Sequence, residues 1–443
     1  MAALLSLVFL IACSPDPGGA GAPTQDRAGG GAAARASGVV LVSMDTVSAQ
    51  HLALYGGDAA TPNLAALAAR GARWTQAITH FPETGYSHWS MMTGVEPALH
   101  GDLARAHTSA WTGPTLAEIF RDQGFATGAF IGGITLERGL SGLDRGFQVY
   151  EDGGPPSAEP RQRADRVTDL ARAWIGAQPG PFFAFVHYFD AHYPYDTVDG
   201  AACDPGYTGA VGGDMASLRA YQGEAPPAPV LPEADLAHVR RLYACEIEAV
   251  DRELGRLIDA LPADTRLVVV ADHGESFGGG YYFNHRASLR DEVLRVPLVV
   301  WPPPEGLPPG AVIDAQVGLS AVFSLVQGEG APASPVVATA TDPWIGPGLL
   351  SLRAGPDKAV WRLSAGALAG PHGAPIAVYH QDQAQPLDPG LPPALEGQIS
   401  AWEARIRALE PRMRALPAAA YPSPDGALQA IGYLPSPAPE GEP

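Results

Sequence analysis

The chain has 443 residues, of which 46% are hydrophobic, and this composition excludes a wholly disordered protein and suggests two or three domains. Its 47 acidic residues outnumber its 28 basic residues and give a net charge of -19. This balance excludes a protein that wraps nucleic acid, because that function needs a basic surface to neutralise phosphates.

The first residues carry the pattern of an export signal. An apolar run over residues 2–12 ends directly before Cys13 in the sequence LIAC, which has the pattern of a bacterial lipobox and is too short to span a bilayer. We therefore predict a signal peptide over residues 1–13, a lipid anchor at Cys13 and a flexible tether over residues 14–37. A plain secretory signal or a misplaced start codon would fit the same run. The lipobox interpretation predicts an exported lipoprotein of the bacterial cell envelope, which contacts the membrane only through this anchor.

Strands and helices alternate from residue 38 onward. Residues 38–44 form a continuous apolar run, typical of a strand buried on both faces of a parallel sheet. Thr61 and Pro62 indicate the N-cap and first turn of a helix that Gly71 ends. Helical spacing recurs in three later segments, each followed by an apolar run; the helices are predicted near residues 116–120, 167–175 and 233–261, and the strands over 126–131, 182–188 and 267–271. This alternation predicts an α/β fold with a mostly parallel central sheet and helices on both faces.

A proline-rich segment over residues 302–309 ends this alternation. The weaker patterns that follow predict a smaller C-terminal α+β subdomain over residues 311–443, after a main domain over residues 38–310. Its predicted elements are a helix over 321–326, strands over 349–353 and 360–363, and a helix over 395–409.

Two further cysteines, Cys203 and Cys245, allow two interpretations. In an oxidising compartment they could form a disulfide. Alternatively, Cys245 fits a small buried residue on a helix. The sequence leaves both open.

Acidic residues follow two of the predicted strands. Asp45 comes directly after the first strand, and Asp272 and His273 come directly after the strand over 267–271. Functional groups of α/β sheets gather at the carboxyl ends of strands, and a carboxylate buried there costs free energy unless a positive group meets it. We therefore predict that Asp45, Asp272 and His273 bind a divalent cation, Ca²⁺, Mg²⁺, Mn²⁺ or Zn²⁺. Either aspartate alone would also fit a helix cap or a loop.

The motifs of the chain, taken in order, resemble the sulfatase family of the alkaline-phosphatase superfamily over most of residues 38–301. The matching segments are Asp45-Thr46 with His51-Leu52, Thr61-Pro62-Asn63-Leu64, Ser87 to Gly94, and Asp272-His273-Gly274-Glu275 with Leu294-Arg295-Val296-Pro297. The resemblance implies that the main domain is catalytic and hydrolyses sulfate or phosphate-type esters with a bound metal ion.

Thr84 stands where sulfatases carry a cysteine or serine that is oxidised to formylglycine. Threonine has a β-methyl group and cannot give that aldehyde, so formylglycine is not expected. In an active enzyme the Thr84 hydroxyl would itself be the nucleophile, activated by the cation. We also predict that a helix opening near Ser87 offers backbone N–H groups to an anionic substrate. As a structural residue, Thr84 would be a turn or cap residue.

The lysines that sulfatases place around the ester are missing from the predicted catalytic region. The sole lysine, Lys358, lies outside the predicted catalytic region, and His285 stands where one of those lysines would fall. The resemblance implies that His192 protonates the leaving group and that His88 and His192 contact the substrate.

A second metal ion is an alternative. Threonine nucleophiles in this superfamily are typical of phosphodiesterases that use two zinc ions, and Asp190, His192 and His285 are the residue types of such a second site. Asp190 and Thr46 are therefore further candidate metal ligands.

Three classes of function stay open from the sequence. The first is a sulfate or phosphate-type ester hydrolase, and the second is a two-metal phosphodiesterase or a transferase that moves a phospho-headgroup. The third is a cell-surface binding protein with a decayed site, because Ser48, Gln50 and Tyr86 replace residues that relatives carry. The sequence does not specify the oligomeric state.

Overall fold

The computed structural model describes most of the chain between residues 37 and 385. The described residues are 37–97, 111–153, 161–222, 230–278, 281–286, 288–331, 337–340, 349–362, 377–380, 383–385 and 400. The predicted signal peptide, lipid anchor and most of the tether lie outside them, as does nearly all of the helix predicted over 395–409. No helix in the described ranges combines the length and the apolar character that a membrane crossing requires.

The strands up to residue 318 form a central sheet and one small hairpin. They are β1 (Gly38–Met44), β2 (Ala72–Ile78), β3 (Ala126–Ile131), β4 (Val149–Glu151), β5 (Phe182–Tyr188), β6 (Arg266–Ala271), β7 (Phe277–Gly278), β8 (Tyr281–Tyr282), β9 (Arg295–Trp301), β10 (Ala311–Ile313) and β11 (Val317–Gly318). The central sheet has the order β10-β2-β9-β6-β1-β5-β3-β4, with β11 also paired to β2, while β7 and β8 form the hairpin.

The centre of the sheet is parallel. β1 lies between β5 and β6 and runs parallel to both, so that Ser43 is level with His187 on one side and Val270 on the other. All seven residues of β1 and all seven of β5 are buried, as expected for strands covered on both faces. The predicted α/β fold with a mostly parallel sheet is therefore confirmed.

One strand next to this parallel core runs the opposite way. β9 is antiparallel to β6 and to β2, which makes the sheet mixed. Between β6 and β9 the structure has the β7–β8 hairpin and one short helix, and an antiparallel return needs no long crossover helix. The sequence did not indicate this reversal.

The helices in chain order are α1 (Pro62–Arg70), α2 (Thr84–Thr93), α3 (Leu116–Asp122), α4 (Arg138–Ser141), α5 (Ala164–Gly176), α6 (Gly200–Cys203), α7 (Met215–Leu218), α8 (Glu233–Ile258), α9 (Asp291–Leu294) and α10 (Val322–Gln327). The longest, α8, buries an apolar face that includes Val239, Ile247 and Leu254. Short 3-10 turns cover Ala49–His51, Ala53–Tyr55, Ile134–Leu136 and Leu319–Ala321.

The start of α1 differs in one detail from the sequence prediction. Thr61 is the N-cap residue, but its side chain makes no capping hydrogen bond. The carboxylate of Asp251 on α8 accepts instead from the backbone N–H groups of Asn63 and Leu64, at 3.0 and 2.9 Å. The predicted helix is thus correct, but its first N–H groups are satisfied by a residue distant in the sequence.

Cys203 at the end of α6 and Cys245 on α8 form a disulfide, with a Cα–Cα distance of 6.3 Å. Of the two interpretations that the sequence left open, the structure therefore shows the pairing. The disulfide links α6 covalently to α8.

A second, antiparallel sheet follows the central one along the chain. Its strands are β12 (Val337–Ala340), β13 (Leu349–Ala354), β14 (Asp357–Arg362), β15 (Ala377–His380) and β16 (Gln383–Gln385), paired in chain order. Two buried cations of this sheet, Arg353 and Lys358, pair with Asp291 at the start of α9. Before this sheet begins, β10 and β11 still pair with β2, so the chain after residue 310 first contributes to the central sheet.

Candidate metal centre and active site

Three buried ligand groups meet at the carboxyl ends of β1 and β6. Asp45 directly follows β1, while Asp272 and His273 directly follow β6. Because β1 and β6 are parallel neighbours, their ends lie side by side. One potential ligand atom from each of the three residues lies within 4.8 Å of the other two. The structure therefore brings together the three residues predicted to bind metal.

The two carboxylates of this group need a positive partner. Asp45 Oδ1 and Asp272 Oδ2 are buried and accept no hydrogen bond from the residues that the structure describes. Burial raises the pKa of Asp45 to about 7. It also raises the pKa of Asp272, helped by the charge of Asp45. A divalent cation between the two would reverse both effects.

His273 is oriented to complete the set. Its Nδ1 donates to the carbonyl oxygen of Gly274 at 3.0 Å, so the lone pair lies on Nε2. Nε2 is 3.3 Å from Asp272 Oδ2. Two carboxylate oxygens and one imidazole nitrogen with a fixed tautomer suit a divalent cation. The residues present therefore fit the metal ion that the sequence predicts.

Thr46 shapes the turn between the ligands. Its backbone has a φ of 57°, which is uncommon for a β-branched residue, and its N–H donates to Asp272 Oδ1 at 3.1 Å. The Thr46 hydroxyl donates to the carbonyl oxygen of Asp45 at 2.8 Å. Thr46, a further candidate ligand from the sequence, stays a prediction, because a hydroxyl that donates its proton keeps oxygen lone pairs for a cation.

Thr84 lies directly beside the metal group. It is fully buried, and its Oγ1 is 3.3 Å from Asp45 Oδ2 and 3.5 Å from His273 Nε2. It is also the first residue of α2, so this helix begins three residues earlier than the sequence suggested. The predicted nucleophile and the predicted metal ligands therefore share one site.

The residue before Thr84 is a buried carboxylate that the sequence prediction missed. Glu83 is the N-cap of α2, and its side chain accepts from the backbone N–H of Tyr86 at 3.2 Å. Burial raises the pKa of Glu83 to about 7, while the positive charge of Arg286 lowers it. A helix start that was predicted to favour an anionic substrate is thus capped by an acidic side chain of the chain itself.

Two further buried histidines, His88 and His187, contact residues of the site. His88 Nδ1 donates to the carbonyl oxygen of Thr84 at 2.7 Å, and its Nε2 contacts Ser43 Oγ at 2.8 Å. His187 Nε2 lies 3.1 Å from Asp45 Oδ2. Burial lowers the pKa of His88 to about 3 and that of His187 to about 4. His88, predicted to contact substrate, thus has both ring nitrogens next to protein groups.

His187 had no role in the sequence prediction. The signal that could have found it is its place one residue before the end of β5, level with Ser43 on the central strand. A residue at that register position reaches the same sheet edge as Asp45.

His192 and His285 lie on the side of the site formed by the loops after β5 and β8. The His285 ring stacks on the His273 ring with centroids 4.0 Å apart, and the His192 ring meets the His285 ring edge-on at 5.7 Å. Their Nδ1 atoms donate to the carbonyl oxygens of Tyr193 and Pro82, at 2.6 and 2.7 Å. Burial lowers the pKa of His192 to about 3 and holds that of His285 well below its usual value.

Asp190 has a structural contact. Its Oδ1 accepts from the backbone N–H of Ala164, the first residue of α5, at 3.2 Å. Within the described ranges, Asp45, Asp272 and His273 are the one group of three or more potential metal ligands. Asp190, a further candidate ligand from the sequence, is therefore not gathered with His192 and His285 into a second group of this kind.

Comparisons with known proteins show which family and which structures the chain resembles. The family model described as Sulfatase matches residues 37–325. The uncharacterized sulfatase YidJ of Escherichia coli (strain K12) is 24% identical over an alignment of 319 residues that covers 60% of this chain and 62% of that protein. The chain therefore spans less than two thirds of the length of that relative.

Solved structures share the fold. The phosphonate monoester hydrolase of Agrobacterium radiobacter aligns with a TM-score of 0.61 and 17% identity, covering 86% of this chain and 96% of the other. A protein solved in complex with its substrate D-glucosamine-2-N,6-O-disulfate aligns with a TM-score of 0.61 and 14% identity, covering 86% and 98%.

Proposed function

The chain belongs to the sulfatase family, as its motifs suggested, and from this premise we propose that it is a metal-dependent ester hydrolase with Thr84 as its nucleophile. The observation that carries the proposal is the position of the Thr84 hydroxyl, 3.3 Å from Asp45 Oδ2 and 3.5 Å from His273 Nε2. A hydroxyl at that distance from two metal ligands is placed for activation.

Asp45, Asp272 and His273 would hold the divalent cation, with Ca²⁺, Mg²⁺, Mn²⁺ and Zn²⁺ as the candidates. When bound, such an ion lowers the pKa of a neighbouring hydroxyl and polarises the ester oxygen. His187 and Thr46 hold the two carboxylates in place through Asp45 Oδ2 and Asp272 Oδ1.

The chain's own groups can account for each proton. Thr84 Oγ1 attacks the sulfur or phosphorus of the ester as the bond to the leaving oxygen breaks, and the hydroxyl proton passes to Asp45 Oδ2, to which it already donates. His192 gives a proton to the leaving oxygen and regains one from the water that later cleaves the Thr84 ester, while Thr84 recovers its own proton. Because burial lowers the pKa of His192 to about 3, a negatively charged substrate has to raise that pKa for His192 to act as the acid.

A threonine nucleophile favours phosphorus over sulfur. Threonine has no second oxygen on its β-carbon that could expel the bound group, so release depends on attack by water at the central atom. Phosphate and phosphonate esters are therefore the first substrates to test. The shared fold is compatible with both chemistries, since one structural neighbour is a phosphonate monoester hydrolase and another binds a disulfated glucosamine.

The alternatives make different predictions. A two-metal phosphodiesterase requires a second ligand group, and within the described ranges Asp190, His192 and His285 do not come together as one, which speaks for one metal rather than two. A headgroup transferase would use an alcohol in place of water. A decayed binding protein would neither bind metal nor turn over any ester, and the unsatisfied oxygens of Asp45 and Asp272 speak against it.

We further propose that the protein works in an oxidising compartment of the bacterial envelope, with a lipid anchor at Cys13. The Cys203–Cys245 disulfide supports an oxidising location. Mass spectrometry of the N-terminal peptide of the membrane-associated protein tests the anchor: a diacylglyceryl group on Cys13 is expected, and a mature chain that begins elsewhere would refute it.

The function is tested by metal analysis and a substrate screen. Purified protein should contain about one divalent metal ion per chain and hydrolyse at least one of an aryl sulfate, a phosphate monoester, a phosphate diester or a phosphonate monoester. Added glycerol or another alcohol as acceptor distinguishes transfer from hydrolysis. Two metal ions with diesterase activity would favour the two-metal alternative, and absence of both metal and turnover would favour the binding protein.

A further inference from the structure

A negatively charged side chain lies next to the nucleophile. Glu83 directly precedes Thr84, is 0% exposed and accepts a hydrogen bond from the backbone N–H of Tyr86 at 3.2 Å. The start of the ten-residue helix α2 is a place where a substrate anion would be stabilised. In this chain a carboxylate caps that place.

The fixed charges around Thr84 balance. The carboxylates of Asp45 and Asp272 offset one divalent cation, and Arg286, which is 6% exposed, is the positive side chain that most lowers the pKa of Glu83. The proton that His192 gives to the leaving oxygen is needed for singly and doubly charged esters alike, so it does not distinguish between them.

Two further cations of the described chain are engaged elsewhere. Lys358 donates to the carbonyl oxygen of Leu289 at 2.7 Å and pairs with Asp291 at 3.1 Å. Arg161 donates to the carbonyl oxygen of Pro194 at 2.9 Å and pairs with Asp196. Neither is in place to neutralise a second negative charge on a substrate beside Thr84.

The charge of the substrate therefore matters. Sulfate esters, phosphate diesters and phosphonate monoesters carry one negative charge, whereas phosphate monoesters carry two at mildly alkaline pH. Resting on the proposed function, we propose that Glu83 is a specificity-determining residue that makes this site select singly charged esters over doubly charged ones. Like charges that share a buried site repel strongly enough to change a rate by about tenfold or more.

The test compares substrates that differ in charge but share a leaving group. At pH 8.5 Glu83 is ionised, and 4-nitrophenyl phosphate carries two charges while 4-nitrophenyl sulfate and 4-nitrophenyl phenylphosphonate carry one. Glu83→Gln removes the charge but keeps an oxygen for the Tyr86 N–H. We expect the variant to raise kcat/KM for the doubly charged ester, relative to the singly charged ones, by about tenfold or more.

Glu118→Gln is the matched control. Glu118 also lies at a helix start, accepts from the Thr115 N–H at 3.0 Å and pairs with Arg145 at 3.0 Å, but it takes no part in the site. Its replacement should leave unchanged the ratio of kcat/KM for the doubly charged ester to kcat/KM for the singly charged esters. A second variant, Arg286→Gln, should lower this ratio of kcat/KM values, because it removes the positive charge that offsets the negative charge of Glu83.

Binding separates this inference from the proposed function. Calorimetry at pH 8.5 with metal-loaded protein compares phenylphosphonate, which carries two charges, with its methyl ester, which carries one. Unaltered protein should bind the methyl ester more tightly, and Glu83→Gln should narrow that difference by about tenfold. Two results would overturn the inference: tighter binding of phenylphosphonate than of its methyl ester by the unaltered protein, or the same ratio of these two affinities in Glu83→Gln and in the unaltered protein. The expected binding ratios without turnover of any ester would overturn only the proposed function.

Discussion

The Thr84 side chain lies between a carboxylate and an imidazole that both belong to the candidate metal centre. In the proposed function its hydroxyl distinguishes a working enzyme from a decayed one, because the metal ligands alone would bind an ion without cleaving an ester. Its β-methyl group excludes the aldehyde chemistry of typical sulfatases, so the proposal takes the oxygen as the reacting atom. Variants at this one position therefore separate catalysis from metal binding.

Thr84→Ala should lower kcat by about a thousandfold or more while the metal content stays the same, because it removes the attacking oxygen and no ligand. Thr84→Ser keeps the oxygen and should retain activity within about tenfold. Steady-state kinetics with parallel metal analysis check both variants. Full activity of Thr84→Ala would show that another group attacks the ester.

Asp272→Asn should have opposite effects on stability with and without metal. In the metal-free protein Asp45 and Asp272 are two buried carboxylates, and a charge on one raises the free-energy cost of ionising the other. Removal of one charge should therefore raise Tm. The Tm increase that metal gives to the unaltered protein should disappear in the variant.

The pH dependence of this effect has a definite sign. The pKa of Asp45 is raised to about 7 in the folded protein, so its ionisation destabilises the metal-free fold as the pH rises from about 4 to about 7. The stabilisation by Asp272→Asn should therefore be larger at pH 8 than at pH 5. Thermal unfolding in the presence of a chelator at both pH values measures it, and an equal or reversed difference would contradict the electrostatic explanation.

The site residues that the sequence predicted and those that it missed differ in where they lie relative to the strands. Asp45, Asp272 and His273 each directly follow an apolar strand, and a polar group there is conspicuous. His187 is a polar residue within a buried strand, and its contact with Asp45 depends on the pairing of β5 with β1. Glu83 lies in a loop, where a carboxylate has many uses, so only the folded structure shows that it caps α2.

At the scale of elements, the sequence predicted the strands and helices whose buried face or faces consist of apolar residues. β1 and β5 match their apolar runs residue for residue, and α8 follows its apolar stripe. α2 has no solvent-exposed face, since all ten of its residues are buried, and periodicity therefore could not locate its first turn. β2 mixes buried and half-buried residues, and its apolar signal is correspondingly weak.

The disulfide between α6 and α8 should stabilise the fold without taking part in catalysis. It closes a loop with a sequence separation of 42 residues, for which loop entropy predicts a contribution of roughly 2–4 kcal/mol. Replacement of both Cys203 and Cys245 by alanine should lower the free energy of unfolding by about that amount and leave kcat largely unchanged. Chemical denaturation and steady-state kinetics of the double variant check this, and a large loss of kcat at full stability would contradict it.

At the scale of the whole molecule, the parallel order of β6, β1 and β5 brings Asp45, Asp272, His273 and His187 to one sheet edge. The alternation of strands and helices predicted that Asp45 and the Asp272-His273 pair would meet at one sheet edge, because parallel neighbours share the direction of their carboxyl ends. The strand order and the place of His187 came only from the folded structure. The antiparallel direction of β9 and the pairing of β10 and β11 with β2 could not be predicted, since an apolar run indicates a strand but specifies neither its partner nor its direction.

The C-terminal sheet is attached to the central domain through charge. Asp291 at the start of α9 pairs with Arg353 and Lys358, and both cations are almost fully buried. Asp291→Asn should destabilise this attachment by about 3–5 kcal/mol, because two buried cations lose their counter-charge. Limited proteolysis should then cut the C-terminal sheet faster. Asp314→Asn, at an exposed contact with Thr75, is the control and should change little.

Lys358 is the sole lysine of the chain, and it is only 1% exposed within that sheet. The native protein therefore presents amine-selective reagents with almost no side-chain target. Acylation of Lys358 should proceed only when the sheet lifts away from α9, so the labelling rate reports the frequency of that opening. A single peptide mass would thus follow the opening of the C-terminal sheet over time, in a protein that needs no engineered probe.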